Sequence, residues 1–170
     1  MKNYDNLYYT SFKLYDISFK IFATKKGVNS IRLNDKKISP KSTKAITLQP
    51  DDPYLFNIFN QLEEYFERSR KQFDIPLDIN GTDFQLRVWQ ELAKIPYGKV
   101  LSYKDIACRV GGENFVRAVG RANGRNPVPI IIPCHRVIET NGRIGGYSGG
   151  VSIKEKLLEL EGSISMELFR

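Results

Sequence analysis

The spacing of apolar and polar residues changes character about half way along this 170-residue chain. Tyr8 to Ala23 is rich in Tyr, Phe and Ile, and Val28-Asn29-Ser30-Ile31-Arg32-Leu33 alternates before Asn34-Asp35. The first 35 residues therefore read as strands. Lys36 to Pro50 is polar and lysine-rich, a loop in this reading. From Pro53 to Arg68 the period becomes helical, with Leu55, Phe56, Phe59, Leu62, Tyr65 and Phe66 on an apolar stripe. Asp52 is the expected cap of that helix and Pro53 its first residue. Lys71 to Gly81 holds Pro76, ends in Asn80-Gly81, and reads as a linker, which sets two domains at 1–80 and 81–170.

The second half reads as mostly helical. Thr82-x-x-Gln85 is a capping box opening a helix through Trp89, Leu92 and Ala93, stopped by Pro96-Tyr97-Gly98. Ser102-x-x-Asp105 opens a short helix, Tyr103 to Val110, closed by Gly111-Gly112. In it Cys108, near Ile106 and Val110, reads as a packed, inert thiol. Another helix is expected from about Asn114 to Asn123, so the pair has the form of a helix-turn-helix. After a glycine-rich stretch, Gly142 to Gly150, Ser152-x-x-Glu155 is expected to cap a last helix carrying Ile153, Leu157, Leu158 and Leu160.

On the wheel of the Asn114–Asn123 helix, Phe115, Val119 and Ala122 share the side expected to face the core. Arg117 and Arg121 point away, with Gly120 and Arg125 beside them. Like charges at i and i+4 cost a few tenths of a kcal/mol, and a mid-helix glycine costs about 1 kcal/mol against alanine. A helix that accepts both on its exposed face is shaped by a partner rather than by folding alone.

Charge sharpens that picture. The formal net charge is +7. Residues 99–143 hold Lys99, Lys104, Arg109, Arg117, Arg121, Arg125, Arg136 and Arg143 against only Asp105, Glu113 and Glu139. Composition leaves a nucleic-acid footprint and a solvated basic surface both open. Apolar and charged fractions of 41% and 26% exclude wholesale disorder. Met1-Lys2-Asn3-Tyr4-Asp5 lacks the apolar core of a signal peptide, and no run approaches membrane-spanning length. Two cysteines outside any framework spacing fit free thiols in a reducing, cytoplasmic setting, with no membrane partner.

The candidate chemistry lies in Pro133-Cys134-His135-Arg136-Val137, which joins one of two cysteines to the only histidine. A thiolate is a nucleophile and an imidazole the usual acceptor of its proton. Neighbouring side chains of a straight strand point to opposite faces, so the two can cooperate only in a turn or through a bridging water. The apolar run Val128 to Ile132 leads into them and suggests a nucleophile at the end of a buried segment. An arginine-rich, small-residue surface beside such a thiol suggests DNA whose base must flip out of the stack to reach the sulfur.

Taken together, these residues resemble the O6-alkylguanine-DNA alkyltransferases. The matching pieces are Pro96-Tyr97-Gly98-Lys99-Val100, Ser102-Tyr103, Arg117-Ala118-Val119-Gly120, Asn126-Pro127-Val128-Pro129-Ile130, Ile132-Pro133-Cys134-His135-Arg136-Val137, Gly145-x-Tyr147-Ser148-Gly149-Gly150 and Leu157-Leu158-x-Leu160-Glu161-Gly162. They follow family order and spacing from about residue 82 to 162, whereas residues 1–80 match only in general form. The resemblance implies an α+β protein: a small N-terminal α/β domain of antiparallel strands plus a helix, then a mostly helical C-terminal domain with a helix-turn-helix of the winged-helix type.

It also implies direct-reversal repair, in which Cys134 irreversibly takes the alkyl group from O6 of guanine, and from O4 of thymine, in double-stranded DNA. Glu161 would orient His135 and favour its protonated form, and His135 would deprotonate Cys134 through a water and lower its pKa. Tyr103 would contact the flipped base and its phosphate and supply a proton. Arg117 would fill the vacated stack, and Ala118, Gly120, Arg121 and Arg125 would line the DNA face. Asn126 would brace the recognition helix against the active-site segment. Pro129, Val137, Gly145, Tyr147 and Ser148 would form the guanine pocket, with the carbonyls of Cys134 and Val137 accepting from the guanine amino group. The family implies a monomer without a cofactor.

Two departures stand out. Some relatives hold a zinc in the N-terminal domain, but residues 1–80 contain neither Cys nor His, so no metal is expected. Phe115 and Val116 stand before Arg117 where the family often has small residues. Among rival readings, a binder of the alkyltransferase-like type lacks a reactive cysteine. A helix-turn-helix regulator leaves the Cys-His-Glu set unexplained. A metal site has too few soft ligands in Cys108, Cys134 and His135, and a thiol hydrolase needs an oxyanion hole that sequence alone does not exclude.

Overall fold

The computed structural model of the protein describes residues 7–35, 43–49 and 51–164. They belong to two compact units, Met1–Asn80 and Gly81–Arg170.

In the first unit, β1 (Tyr8–Leu14), β2 (Ile17–Thr24) and β3 (Gly27–Leu33) form an antiparallel meander. The turn between β1 and β2 carries Tyr15 at φ 51. A fourth strand, β4 (Ile46–Thr47), pairs parallel to β1, so the sheet order is β3-β2-β1-β4. It lies in the stretch expected to be loop, because two residues are too few to display a strand period. The helix α1 (Pro53–Phe66) starts where the amides of Leu55 and Phe56 donate to the Asp52 carbonyl, both at 2.8 Å. Leu55, Leu62 and Tyr65 of its stripe are buried, and Phe59 meets Phe12 edge-on at 5.0 Å. Phe56 does not join them and is 49% exposed.

The segment expected as a linker is strapped to the sheet. Val28 donates to the Pro76 carbonyl at 2.8 Å, Asp78 donates to Val28 at 2.9 Å, and the Thr24 hydroxyl donates to the Asp78 carboxylate at 2.6 Å. Gly27 makes this approach possible: a Cβ there would sit 2.3 Å from the Pro76 oxygen.

In the second unit, α2 (Asp83–Ala93) and α3 (Tyr103–Val110) open with complete capping boxes at Thr82/Gln85 and Ser102/Asp105. After the turn at Gly111-Gly112, a 3-10 turn (Glu113–Phe115) leads into α4 (Val116–Gly124). The helix thus begins two residues later than expected, which moves Phe115 off the core face. Phe115 is 42% exposed and stacks on Phe84 at 5.7 Å, while Val119 and Ala122 are buried as expected. Trp89 ties α2 to α4 by donating its indole N–H to the Ala122 carbonyl at 2.9 Å. Cys108 is exposed rather than packed, because Ile106 and Ala107 occupy the inner face of α3.

The last helix, α5 (Val151–Leu160), is capped by Gly150 at φ 97 and not by Ser152, which lies exposed one residue inside it. One pairing had no sequence signal: β5 (Leu101–Ser102) runs parallel to β6 (Val137–Ile138). Ser102 is both the end of β5 and the cap of α3, so this short ladder sets Tyr103 beside the Cys134–Val137 segment.

Gly27→Ala is expected to destabilise the first unit by about 1–3 kcal/mol through the clash with Pro76. The measurement is the urea midpoint. An unchanged midpoint would show that the strap can move away without cost.

Candidate active site

The approach to Cys134 is a bent, buried segment. Ile130 adopts φ 76, a region β-branched residues rarely enter, and is completely buried. Ile132 donates back to the Val128 carbonyl at 3.0 Å. Pro133, at φ −81 and ψ 62, centres an inverse γ-turn in which the Cys134 amide donates to the Ile132 carbonyl at 2.8 Å. Cys134, His135 and Arg136 then form one 3-10 turn, and all three are buried. Side chains in such a turn diverge by about 120° per residue instead of alternating. Adjacent residues are therefore not confined to opposite faces, as they would be in a strand.

His135 and Arg136 converge on Glu161, the C-cap residue of α5. His135 Nε2 lies 2.9 Å from Glu161 Oε1. Arg136 makes a two-pronged contact, Nε to Oε2 and Nη2 to Oε1, both at 2.8 Å, and donates Nη1 to the Ile95 carbonyl at 2.6 Å. The Gly98 amide donates to Oε2 at 3.3 Å, and the Tyr97 hydroxyl donates to the Leu160 carbonyl at 3.1 Å. The helix-stopping Pro96-Tyr97-Gly98 is thus a brace for the carboxylate. Burial pushes the Glu161 carboxyl up, but hydrogen bonds from His135 and Arg136 outweigh it and hold it at about 2.

Arg136 is the partner that residue pattern alone missed, and it corrects two expectations. It is buried against Glu161, so it adds nothing to the basic surface. It also works, after burial, against the Glu161 charge that was expected to favour a protonated His135. Burial lowers the His135 pKa, and Arg136 and Lys154 oppose the raising effect of Glu161. His135 is therefore neutral at pH 7. An ionised Glu161 can only accept, so Nε2 carries the proton and Nδ1 the lone pair. Nδ1 is buried without a hydrogen-bond partner among the described residues.

The expectation of a lowered Cys134 pKa is also overturned. Burial pushes the thiol up to about 11, and hydrogen bonds from Asn126 and Tyr147 and the charge of Lys154 offset this only in part. At rest the site is a neutral thiol beside a neutral imidazole.

Around the sulfur, Asn126 joins the end of α4 to the active-site segment. Its amide donates to the Ile132 carbonyl at 2.8 Å, and its oxygen accepts from the Val128 amide at 3.1 Å. Asn123, not singled out from the sequence, donates weakly to the Cys134 carbonyl at 3.4 Å and the Tyr103 hydroxyl at 3.5 Å. Its signal was the pattern of α4, which puts it next to Ala122 on the buried side. Burial and the nearby Cys134 and Glu139 raise the Tyr103 pKa, so it stays a phenol and a proton donor. The Val137 carbonyl accepts from Lys154 at 2.6 Å. Gly145, at φ 71, lies where a Cβ would sit 3.3 Å from Glu139 and 3.7 Å from Tyr103. Pro129 is buried, Tyr147 half-buried and Ser148 exposed.

Arg117, Arg121 and Arg125 are exposed on or just after α4, with Ala118 and Gly120 half-buried between them. A Cβ on Gly120 would meet nothing within 4 Å, so no internal contact requires that glycine. Lys104 forms an exposed ion pair with Glu113 at 2.9 Å.

Comparison with known proteins matches both halves. Residues 7–79 fit the profile of the 6-O-methylguanine DNA methyltransferase ribonuclease-like domain, and residues 83–163 fit that of its DNA binding domain. The chain is 40% identical to the inducible methylated-DNA–protein-cysteine methyltransferase of Bacillus subtilis, over 98% of this chain and 96% of that one. It is 45% identical to the Mycobacterium bovis protein of the same activity name, over 81% of this chain and 84% of that one. The crystal structure of Mycobacterium tuberculosis O6-methylguanine methyltransferase superposes with a TM-score of 0.83 at 36% identity, covering 96% of this chain and 99% of the other. The Mycobacterium tuberculosis protein in complex with DNA gives a TM-score of 0.81 at 39% identity, covering 92% and 93%. With both domains matched in order, the chain belongs to the 6-O-methylguanine DNA methyltransferase family.

Proposed function

We propose that this protein repairs double-stranded DNA by direct reversal, moving the alkyl group from O6 of a flipped-out guanine, and from O4 of thymine, irreversibly to Cys134. The observation that carries this reading is the buried thiol beside a neutral histidine whose free lone pair is at Nδ1. The family and the DNA-bound relative support it.

The chemistry follows from the resting charges. The Cys134 proton passes to His135 Nδ1 through a water as the sulfur attacks the alkyl carbon in line. The S–C bond forms, the C–O6 bond breaks, and its electron pair stays with guanine. Tyr103, protonated and at the rim, donates to the departing base and recovers a proton from the imidazolium through solvent. Ion-paired Glu161 holds the ring and meets its new charge without itself changing state. The thioether formed cannot undergo thiol exchange, so each chain acts once.

In this reading residues 81–170 are the DNA-binding and alkyl-transfer domain. Arg117 occupies the gap left by the base, Ala118 and Gly120 allow close approach of α4, and Arg121 and Arg125 meet phosphates. Pro129, Val137, Gly145, Tyr147 and Ser148 wall the guanine pocket, and Asn126 braces it. One chain carries the whole set, which supports action as a monomer, in the cytoplasm where its substrate DNA lies.

Alkyl groups transferred from methylated duplex DNA are expected to plateau at one per chain, on Cys134 by mass spectrometry, and Cys134→Ala should transfer none while still binding DNA. Turnover beyond one per chain would exclude the single-use thioether.

The acid limb of the pH profile tests the neutral histidine. Because burial depresses the His135 pKa, the base stays available below the ordinary histidine value of 6.5, and transfer should fall only under that pH. A fall centred above 7 would mean that His135 rests as the cation.

Arg117→Ala should slow repair of duplex DNA far more than reaction with free O6-benzylguanine, which has no stack to leave. The extra loss should be on the order of the few kcal/mol that unstacking costs. Equal losses on both substrates would assign Arg117 to the pocket or the fold.

A further inference from the structure

Lys154 lies on the apolar face of α5 beside Ile153, Leu157 and Leu158, and its side chain is wholly buried. Its Nζ donates to three main-chain carbonyls: Val137 at 2.6 Å, Ile144 at 2.5 Å and Gly146 at 3.5 Å. Among the described residues no carboxylate lies within ion-pair distance of it. A buried ammonium is costly to desolvate, and neutral carbonyls repay that only in part. A leucine or methionine would fill the same apolar position at less cost, so the charge calls for a reason.

The neighbourhood supplies one. The ammonium sits 5.9 Å from the centre of the Tyr103 ring, and the ionisable groups it faces are Cys134, His135, Glu139 and Tyr103. Val137 belongs to β6, whereas Ile144 and Gly146 belong to the stretch leading through the glycine-rich loop. We propose that Lys154 is a positioning residue for alkyl transfer: its ammonium clamps β6 to the glycine-rich loop and is the fixed positive charge against which Cys134 becomes a thiolate. This rests on the alkyl-transfer reading above.

The effect is selective. When the proton moves from Cys134 to His135, the ammonium favours the new thiolate and disfavours the new imidazolium, whose charge Glu161 meets instead. The two buried centres thus divide the separated charges between them. Lys154 itself is pushed down by burial to about 8, while Cys134 and Glu139 act to raise it. The ammonium is therefore present at pH 7 and is lost as the pH rises through about 8.

The test compares Lys154→Met with the unmodified chain for alkylation of Cys134 by free O6-benzylguanine between pH 6 and 10. The unmodified chain should be at least about tenfold faster at pH 7, the equivalent of one pKa unit on the thiol. That advantage should shrink above pH 8, where the ammonium is lost, and Lys154→Arg should keep part of it. A ratio that does not change with pH would reduce Lys154 to a structural clamp and overturn the electrostatic role. If Lys154→Met does not fold, carbon-13 NMR of labelled lysines decides instead. In the unmodified chain the pH–rate profile for alkylation of Cys134 should bend at the pH where Lys154 loses its proton. A profile with no feature at that midpoint would overturn the proposal. Absence of alkylated Cys134 in the unmodified chain would overturn the alkyl-transfer reading itself, which separates the two failures.

Discussion

One buried carboxylate organises the catalytic half of this protein. Glu161 is nearly inaccessible, yet it is held ionised by a two-pronged arginine, a histidine and a backbone amide. Removing one member of such a pair strands a charge in the interior at a cost of about 3–5 kcal/mol. The end of α5, the turn before β5 and the Cys134–Arg136 turn are therefore bound to one another. The nucleophile is located largely by what the two residues after it, His135 and Arg136, are attached to.

The same arrangement sets the resting chemistry. Burial, helped by the charges of Arg136 and Lys154, outweighs the pull of Glu161 and leaves His135 neutral, and burial keeps the thiol protonated as well. A neutral pair buried from solvent is protected from oxidants and adventitious electrophiles, which react with thiolates. That suits a residue consumed by its first reaction. Charge is separated only as the alkyl carbon is attacked, and it then falls between two prepared partners, Glu161 for the imidazolium and Lys154 for the thiolate.

The face proposed to meet DNA follows different rules. α4 buries Val119, Ala122 and Asn123 and leaves Arg117 and Arg121 outward, with no internal contact requiring Gly120. Asn123 on its inner face and Asn126 just past its end both bond to the segment around Cys134, so in the proposed function one short helix serves DNA contact and the site together. The exposed Phe115, stacked on Phe84 at the start of that helix, is a feature of this chain's own surface.

Much was legible without coordinates because it is local. Capping boxes at Thr82 and Ser102 are satisfied within four residues, and the alternation of β3 and the stripe of α1 report burial directly. The order and spacing of motifs from Pro96 to Glu161 were enough to reach the family. What the sequence could not decide depends on groups brought together from afar. Two-residue strands such as β4 and β6 have no period, and the start of α4 depended on a 3-10 turn that displaces Phe115. Arg136 counted as a surface charge until the fold placed Glu161 against it across 25 positions. The lysine within the apolar stripe of α5 was visible all along, but its meaning was not. Titration depends on distance and burial, and those exist only after the chain has folded.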